Sequence, residues 1–374
     1  MKVLYVLDNL SIASGVSSIV MNLYRNMNRD KIQMDFLVCA KQENSYQEEI
    51  EKLGGKVFYT GNFLSPKQIF LAISNSRRFF KEHSSEYDIV HLHSPTIAMF
   101  TLKYAKKYGV PIRIVHSHST MMSVSKLKNI VNAFLISQIK RYANNFFACS
   151  TEAARFLYGE KFCKTHKIEL IHNAVDCSRF IYSKEGAKAT RKKLGICDDD
   201  TVFVNVSNYS PIKNHIFLTD VIQKFKLSDK KVKFLFIGDG PTKQQFKEEI
   251  KKRDLENLCI FVDKTDKVSD YLCAADAAIL PSIKEGLPLT LVESQASGLP
   301  FFASDTVTRE VCVRQGEFVA LDTNEWYQKL NVFKVLSEEE RKNNSEMFKA
   351  SEFNISTEAE RVWNLYKELA TGEK

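Results

Sequence analysis

The feature that most restricts how this chain can fold is a regular alternation. Short, β-branched and aromatic runs are followed by longer stretches with helical apolar spacing. Val3–Leu7, Met34–Cys39, Ile89–Leu92, Ile112–Val115, Asn145–Ala148 and Ile168–Ile171 read as strands, with helical patterns such as Ser17–Arg25 and Lys126–Tyr142 among them. Strands separated by helix-length segments pair in parallel, because each crossover must return the chain to the same end of the sheet.

The alternation breaks in a polar stretch from Asp176 to about Asp200, which reads as a surface connection. It restarts with Val202–Val206, Phe234–Ile237, Ile260–Val262, Ala277–Leu280 and Phe301–Ala303. At 374 residues the chain exceeds what one hydrophobic core sustains. The expectation is therefore two Rossmann-like α/β domains, 1–180 and 181–355. A last helix runs from an N-cap at Ser356 through Lys367, carrying Val362, Trp363, Leu365 and Tyr366. Periodicity does not say on which domain that helix, at 356–370, packs.

Composition excludes several classes. No run approaches the 18 apolar residues of a membrane span. The opening MKVLYVLD meets Asp8 too early for a signal peptide and reads as a first strand. Eight scattered cysteines without a C-x-x-C suit reduced thiols in a cytoplasmic protein. Charge is lopsided: residues 1–180 hold 24 Lys and Arg against 14 Asp and Glu, the remainder 29 against 31. No carboxylate lies between Asp88 and Glu152. A field of one sign there attracts phosphate or an anionic membrane surface at the inner face of the cell membrane. Nothing calls for nucleic acid. Lys126–Arg141 has an apolar body with basic ends, equally suited to an interfacial helix and to a core helix with snorkelling lysines.

Nearly every unusual polar cluster follows a predicted strand: Asn9–Gly15, His91–Pro95, His116–Thr120, Cys149–Thr151, Ser207–His215, Gly238–Pro241 and Pro281–Thr290. Ligands of open parallel sheets bind at those strand ends, so the loops of two such domains can face one cleft. The densest cluster is Pro281-Ser-Ile-Lys-Glu285-Gly286-Leu287-Pro288-Leu289-Thr290-Leu291-Val292-Glu293, closed by Gly298-Leu299-Pro300. Pro288 opens a helix and Gly298 ends it. The unpaired amides near Leu289 and Thr290 then form an anion site, with Glu285 and Glu293 available for sugar hydroxyls.

This Glu-x7-Glu segment resembles the signature of retaining glycosyltransferases of family 4 (glycosyl transferases group 1), which have the GT-B fold. Other landmarks fall in the same order. Gly15 resembles the first-loop glycine, Ile171–Asp176 the I-P-N-G-V-D before the linker, Phe236–Pro241 the V-G-x-G-P turn, and Ala275–Ser282 the A-D-x-x-x-x-P-S approach. Met21–Val38 is similar to exopolysaccharide and capsule-type members.

The resemblance implies a metal-independent, cofactor-free hexosyltransferase with a nucleotide-sugar donor, UDP-sugar favoured, and a glycan or lipid-linked saccharide acceptor. It implies that Glu285 binds hydroxyls of the transferred sugar, Glu293 the ribose, Lys213 the diphosphate, and His118 the donor sugar. Gly15, Gly238, Gly286, Leu287, Pro288, Leu289 and Thr290 surround the donor. Ser207-Asn208 stands where the family has Gly-Arg, so Asn208 offers a hydrogen bond without the charge. In the divergent stretch Val262–Val268, Lys264 is a candidate to supply that charge, and Val268 is expected at the nucleotide.

Other readings remain open from residues alone. They are a silent partner subunit that binds nucleotide-sugar, a nucleotide-sugar epimerase, and a metal hydrolase using His91-Leu-His93 and His116-Ser-His118. The carboxylate-free surroundings of those histidines argue against the last.

Overall fold

The computed structural model describes residues 1–12, 14–63, 65, 67–118 and 136–372. The chain divides into two compact units, Met1–Ala174 with Ile355–Lys374, and Val175–Asn354. The sequence put the division near 180. It falls earlier because the 3-10 turn Cys177–Phe180 stays with the second unit, against the helix Leu289–Ala296.

In the first unit β1 (Lys2–Leu7), β2 (Gln33–Val38), β3 (Val57–Tyr59), β4 (Ile89–Leu92), β5 (Ile112–Ser117), β6 (Asn145–Ala148) and β7 (Glu169–Leu170) form one parallel sheet. Its order is β3-β2-β1-β4-β5-β6-β7. The central strand β1 is buried from Val3 to Leu7, which explains its continuous apolar run. Its neighbours β2 and β4 lie in register through pairs such as Tyr5 with Phe36 and Tyr5 with His91. The last helix, Ile355–Thr371, buries Ile355, Ala359, Val362 and Tyr366 in this unit's core. Burying Val362 in full contributes about 1.5–3 kcal/mol of apolar transfer.

The second unit repeats the scheme with β8 (Thr201–Val206), β9 (Val232–Ile237), β10 (Cys259–Val262), β11 (Ala277–Leu280), β12 (Phe301–Ser304) and β13 (Gly316–Val319), ordered β10-β9-β8-β11-β12-β13. Its core is aromatic, with Phe203, Phe234, Phe236, Phe246 and Trp326 buried. All strands expected from the sequence are present, and β3 and β13 are additional. Both are short edge strands whose residues are mostly half-exposed, so they lack the apolar run that marks a central strand.

The polar stretch read as a connection holds a helix, Lys184–Leu194, capped by Ser183 and closed by left-handed Gly195. Only Ala187 of it is buried, too narrow a stripe for hydrophobic spacing to reveal. Its tie to the unit is polar: Arg191 donates to Asp276 Oδ2 at 2.8 Å and to the Ala274 carbonyl at 2.9 Å. Most of the segment Lys126–Arg141 lies outside the described residues; its end forms a short helix, Ile139–Tyr142. Among the described residues no helix is long and apolar enough to cross a membrane. The eight cysteines are free thiols.

Candidate active site

In each sheet the strand order reverses once, between β1 and β4 and between β8 and β11. Loops leaving the carboxyl ends of those strands diverge and open a crevice. In the second unit the loop after β8 carries Ser207–Asn214 and the loop after β11 carries Pro281–Pro288. They are joined by the Ile283 amide donating to the Ile212 carbonyl at 2.8 Å. This join brings together two residues 72 positions apart: Lys213 Nζ donates to Glu285 Oε1 in an ion pair. The pair keeps side-chain exposures of 17% and 13%, so it is sheltered yet open to a ligand.

Lys213 ends the 3-10 turn Pro211–Lys213, and left-handed Asn214 redirects the chain into the helix His215–Phe225. Behind this turn sits His215, buried and stacked on Tyr209 at 4.2 Å. Asn205 fixes the tautomer. Its amide N–H donates to the Ile279 carbonyl at 2.8 Å, so its Oδ1 accepts, and His215 Nε2, 3.1 Å away, must carry the proton. Burial first, and then the Lys213 charge, push His215 down to about 4, so the ring is neutral near pH 7. Neither Asn205 nor His215 stood out from the sequence as support for Lys213. The signal available was a polar residue inside an otherwise apolar strand, Asn205 in TVFVNV.

The turn after β9 closes a third side. Gly238 has φ +147, and a Cβ there would lie 2.0 Å from the Ser207 carbonyl oxygen. The two loops are also zipped by Ser207 N to Ile237 O at 3.1 Å and Tyr209 N to Asp239 O at 2.9 Å. Lys243, buried and also missed from the sequence, holds the turn from below through the Gly238 carbonyl at 2.8 Å and Asp263 at 2.5 Å.

The helix after the acidic loop runs Leu289–Ala296 with Pro288 at its N-cap. Its first internal bonds run from the Leu291 and Val292 amides to the Pro288 carbonyl, so the Leu289 and Thr290 amides precede the ladder as helix-start donors. Thr290 Oγ1 and Ser282 Oγ are buried hydroxyls with no partner among the described residues. Gly286 is half-buried and Leu287 and Pro288 are buried beside them. Glu293 lies one turn inside the helix, half-buried. Burial raises its carboxyl to about 7, with Arg179 offsetting part of that. The helix ends at Gly298, φ +75, where a Cβ would meet the Arg341 carbonyl at 2.0 Å. Arg341 donates to the carbonyls of Leu272, Cys273, Ala275 and Ser297, anchoring that end.

Lys213, Gly238 and Glu285 thus stand on three adjoining loops of one unit, with Glu293 on the helix that follows the third. Asn208 is exposed, Lys264 is exposed on the loop after β10, and Val268 is half-buried at the start of the helix Val268–Ala274. Among the described residues none of the three forms a hydrogen bond or ion pair with Lys213 or Glu285.

In the first unit Gly15 opens the helix Gly15–Asn26, after N-cap Ser14. It is exposed, and a Cβ there would meet nothing within 4 Å, so the fold itself does not require glycine. His118 follows β5 and joins a stack of imidazoles. His93 Nδ1 lies 2.7 Å from His118 Nε2, and His91 Nε2 lies 3.2 Å from His116 Nδ1. Tyr366 of the last helix reaches His91 Nδ1 and Tyr5 Oη, both at 2.6 Å. Burial holds His118 down to about 3 and the other three rings well below their ordinary value, so all four are neutral.

His91, His93 and His116 bring ring nitrogens within 4.8 Å of one another. The His91 and His93 rings nevertheless lie face to face, with centroids 4.2 Å apart at 27°, while His91 meets His116 through its ring nitrogen. Imidazole lone pairs lie in the ring plane, so stacked rings direct them side by side rather than to one point, and both His91 nitrogens are already engaged.

Comparison with known proteins bears on the family and the fold. Residues 13–179 match the model of Glycosyltransferase Family 4 and residues 187–349 that of Glycosyl transferases group 1. EpsF of Bacillus subtilis, named as a glycosyltransferase, is 30% identical over 87% of this chain and 84% of its own. An Escherichia coli UDP-Gal:alpha-D-GlcNAc-diphosphoundecaprenol alpha-1,3-galactosyltransferase is 25% identical over 62% of this chain and 61% of its own. Among solved structures, Anabaena Alr3699/HepE in complex with UDP superposes with a TM-score of 0.78, covering 98% of this chain and 100% of that one at 18% identity. The fold is accordingly of the GT-B type: two α/β units with parallel sheets.

Proposed function

This chain belongs to the family 4 glycosyltransferases (glycosyl transferases group 1), and from that premise we propose that it is a retaining, metal-independent hexosyltransferase. It takes a nucleotide-sugar donor, a UDP-sugar by preference, and a glycan or lipid-linked acceptor of exopolysaccharide or capsule assembly. The observation that carries the reading is the Lys213–Glu285 pair at the switch point of the second sheet, beside the helix opening at Leu289. A nucleoside diphosphate needs positive charge where its phosphates sit, and Lys213 with the Leu289 and Thr290 amides supplies it. Glu285 accepts hydrogen bonds from the sugar and Glu293 from the ribose.

As the sugar–phosphate bond breaks, the electron pair leaves with the diphosphate and the anomeric carbon becomes oxocarbenium-like. The acceptor oxygen attacks the same face, and its proton passes to the departing phosphate oxygen. The first unit takes the acceptor. Its membrane-facing surface is the solvent side of the helix Ile69–His83. There Phe70 and Leu71, 83% and 60% exposed, precede Arg77, Arg78 and Lys81. Apolar tips beside cations suit an anionic interface.

The test is transfer from a panel of UDP- and GDP-sugars, read by mass spectrometry with EDTA present. Lys213→Ala and Glu285→Ala should abolish transfer while thermal melts stay near wild type. Wild-type rates in both variants remove the assignment, and loss of transfer with EDTA removes metal independence. Exposed, uncharged Asn208 favours a second reading, a silent subunit that binds donor. Donor-dependent thermal stabilisation without turnover on any acceptor selects it, and donor conversion without acceptor would indicate an epimerase.

A further inference from the structure

The histidine stack contains two separate hydrogen-bonded chains. One runs Tyr5–Tyr366–His91–His116 and ends at His116 Nε2, which is buried without a partner among the described residues. The other is only His93 with His118, bonded at 2.7 Å. Of the four rings His118 alone is not fully buried, although its unengaged nitrogen, Nδ1, is a buried atom without a partner among the described residues.

Two arrangements satisfy the short bond. If His118 Nε2 donates, His93 must carry its own proton on Nε2, an orphaned donor in a fully packed place. His93 is 3% exposed, stacked on Tyr5 at 5.1 Å and on His91 at 4.2 Å. If His93 Nδ1 donates, the orphan at His93 is only a lone pair, and the unpaired donor is His118 Nδ1, itself buried but on the outermost ring. Each arrangement leaves one buried donor unpaired; the second leaves it on the ring at the strand end, where a ligand oxygen can satisfy it, and that favours the second arrangement.

We propose that His93 is a positioning residue for sugar transfer: by donating Nδ1–H to His118 Nε2 it holds His118 as the Nδ1–H tautomer, so that this ring presents a neutral donor to a hydroxyl oxygen of the transferred sugar. The proposal rests on the reading that His118 contacts that sugar. Stacking keeps the pair in place, with His118 on His116 at 4.0 Å and His93 tied to β1 through its amide and the Val6 carbonyl at 2.9 Å. A neutral imidazole in water favours the other tautomer, so removing His93 should release His118 to it.

The experiment uses full-length protein labelled with [15N]histidine. Long-range proton–nitrogen correlations are recorded without ligand, the His118 signals being identified by their loss in His118→Asn. Wild type should show a protonated Nδ1 and a bare Nε2 at His118. His93→Leu should lose that pattern. His93→Asn, whose amide N–H can stand where Nδ1–H stood, should restore it. In transfer assays His93→Leu should lower kcat on the order of tenfold, as when an outer partner that orients an imidazole is removed. His93→Asn should recover most of the loss, and His93→Leu should add little in a His118→Asn background. A bare Nδ1 in the wild-type spectrum overturns the proposal by itself. The expected spectrum with wild-type transfer by His118→Leu, which has no donor at that place, overturns the sugar contact on which it rests. Failure of His93→Asn to recover either signal or rate reduces His93 to packing and also overturns it.

Discussion

Glu293 gives a prediction whose sign can be worked out. Its carboxyl is raised by burial to about 7 from an ordinary 4.5, which is about 3 kcal/mol of preference for the protonated form. Solvent access at this half-buried residue leaves an effective share of about 1–2 kcal/mol. Because the folded value is raised, folding gains nothing from this group at high pH. Stability is greatest below about 4.5 and falls as pH climbs through about 7. If Glu293 grips the two ribose hydroxyls, it must do so as a carboxylate, which accepts from both. Nucleotide binding then expels a proton wherever the free protein holds one. At pH 6 a group titrating near 7 is roughly nine-tenths protonated, so binding should release close to one proton from this site, and at pH 8 only about a tenth.

The measurement is titration calorimetry with UDP in buffers of different ionisation enthalpy, at pH 6 and pH 8, for wild type and Glu293→Gln. The glutamine variant corrects for protons lost by the nucleotide itself. Wild type should release about 0.9 proton more than the variant at pH 6, and its affinity should rise about tenfold more between pH 6 and pH 8. Equal proton release by both proteins at pH 6, or uptake by wild type, would refute the ribose contact by an ionised Glu293.

Glycine positions separate fold from ligand. Gly238→Ala forces a Cβ onto the Ser207 carbonyl and should cost about 2–4 kcal/mol, seen as a lower melting temperature. Gly15→Ala, with open space around its Cβ, should melt as wild type and lose transfer. An equal melting loss in both variants would contradict the close approach at Gly238. Phe70→Ser with Leu71→Ser should reduce flotation with phosphatidylglycerol vesicles, and wild type should not float with phosphatidylcholine alone. Unchanged flotation would exclude that helix as the membrane-facing surface.

Much of this protein was legible in its residues because parallel sheets advertise themselves. Central strands such as β1 and β11 are buried on both faces, so they appear as unbroken apolar runs, and the helices that must join them fill the gaps. The acidic loop was legible because Pro288 and Gly298 punctuate a helix whatever surrounds it. Edge strands β3 and β13, and the helix Lys184–Leu194, were not, since an element that buries little needs little apolar sequence.

Chemistry types, too, could be read along the chain: a lysine after β8, a glutamate after β11, histidines after β4 and β5. Which of them meet was decided by strand order. Placing β8 beside β11 pairs Lys213 with Glu285 across 72 residues, and placing β4 beside β5 stacks four imidazoles into two hydrogen-bonded chains. The tautomer of His215 and the raised carboxyl of Glu293 come from burial and neighbours supplied by other segments. Local sequence carries propensity and side-chain identity. Proton positions and partners depend on distances that exist only after distant strands have packed.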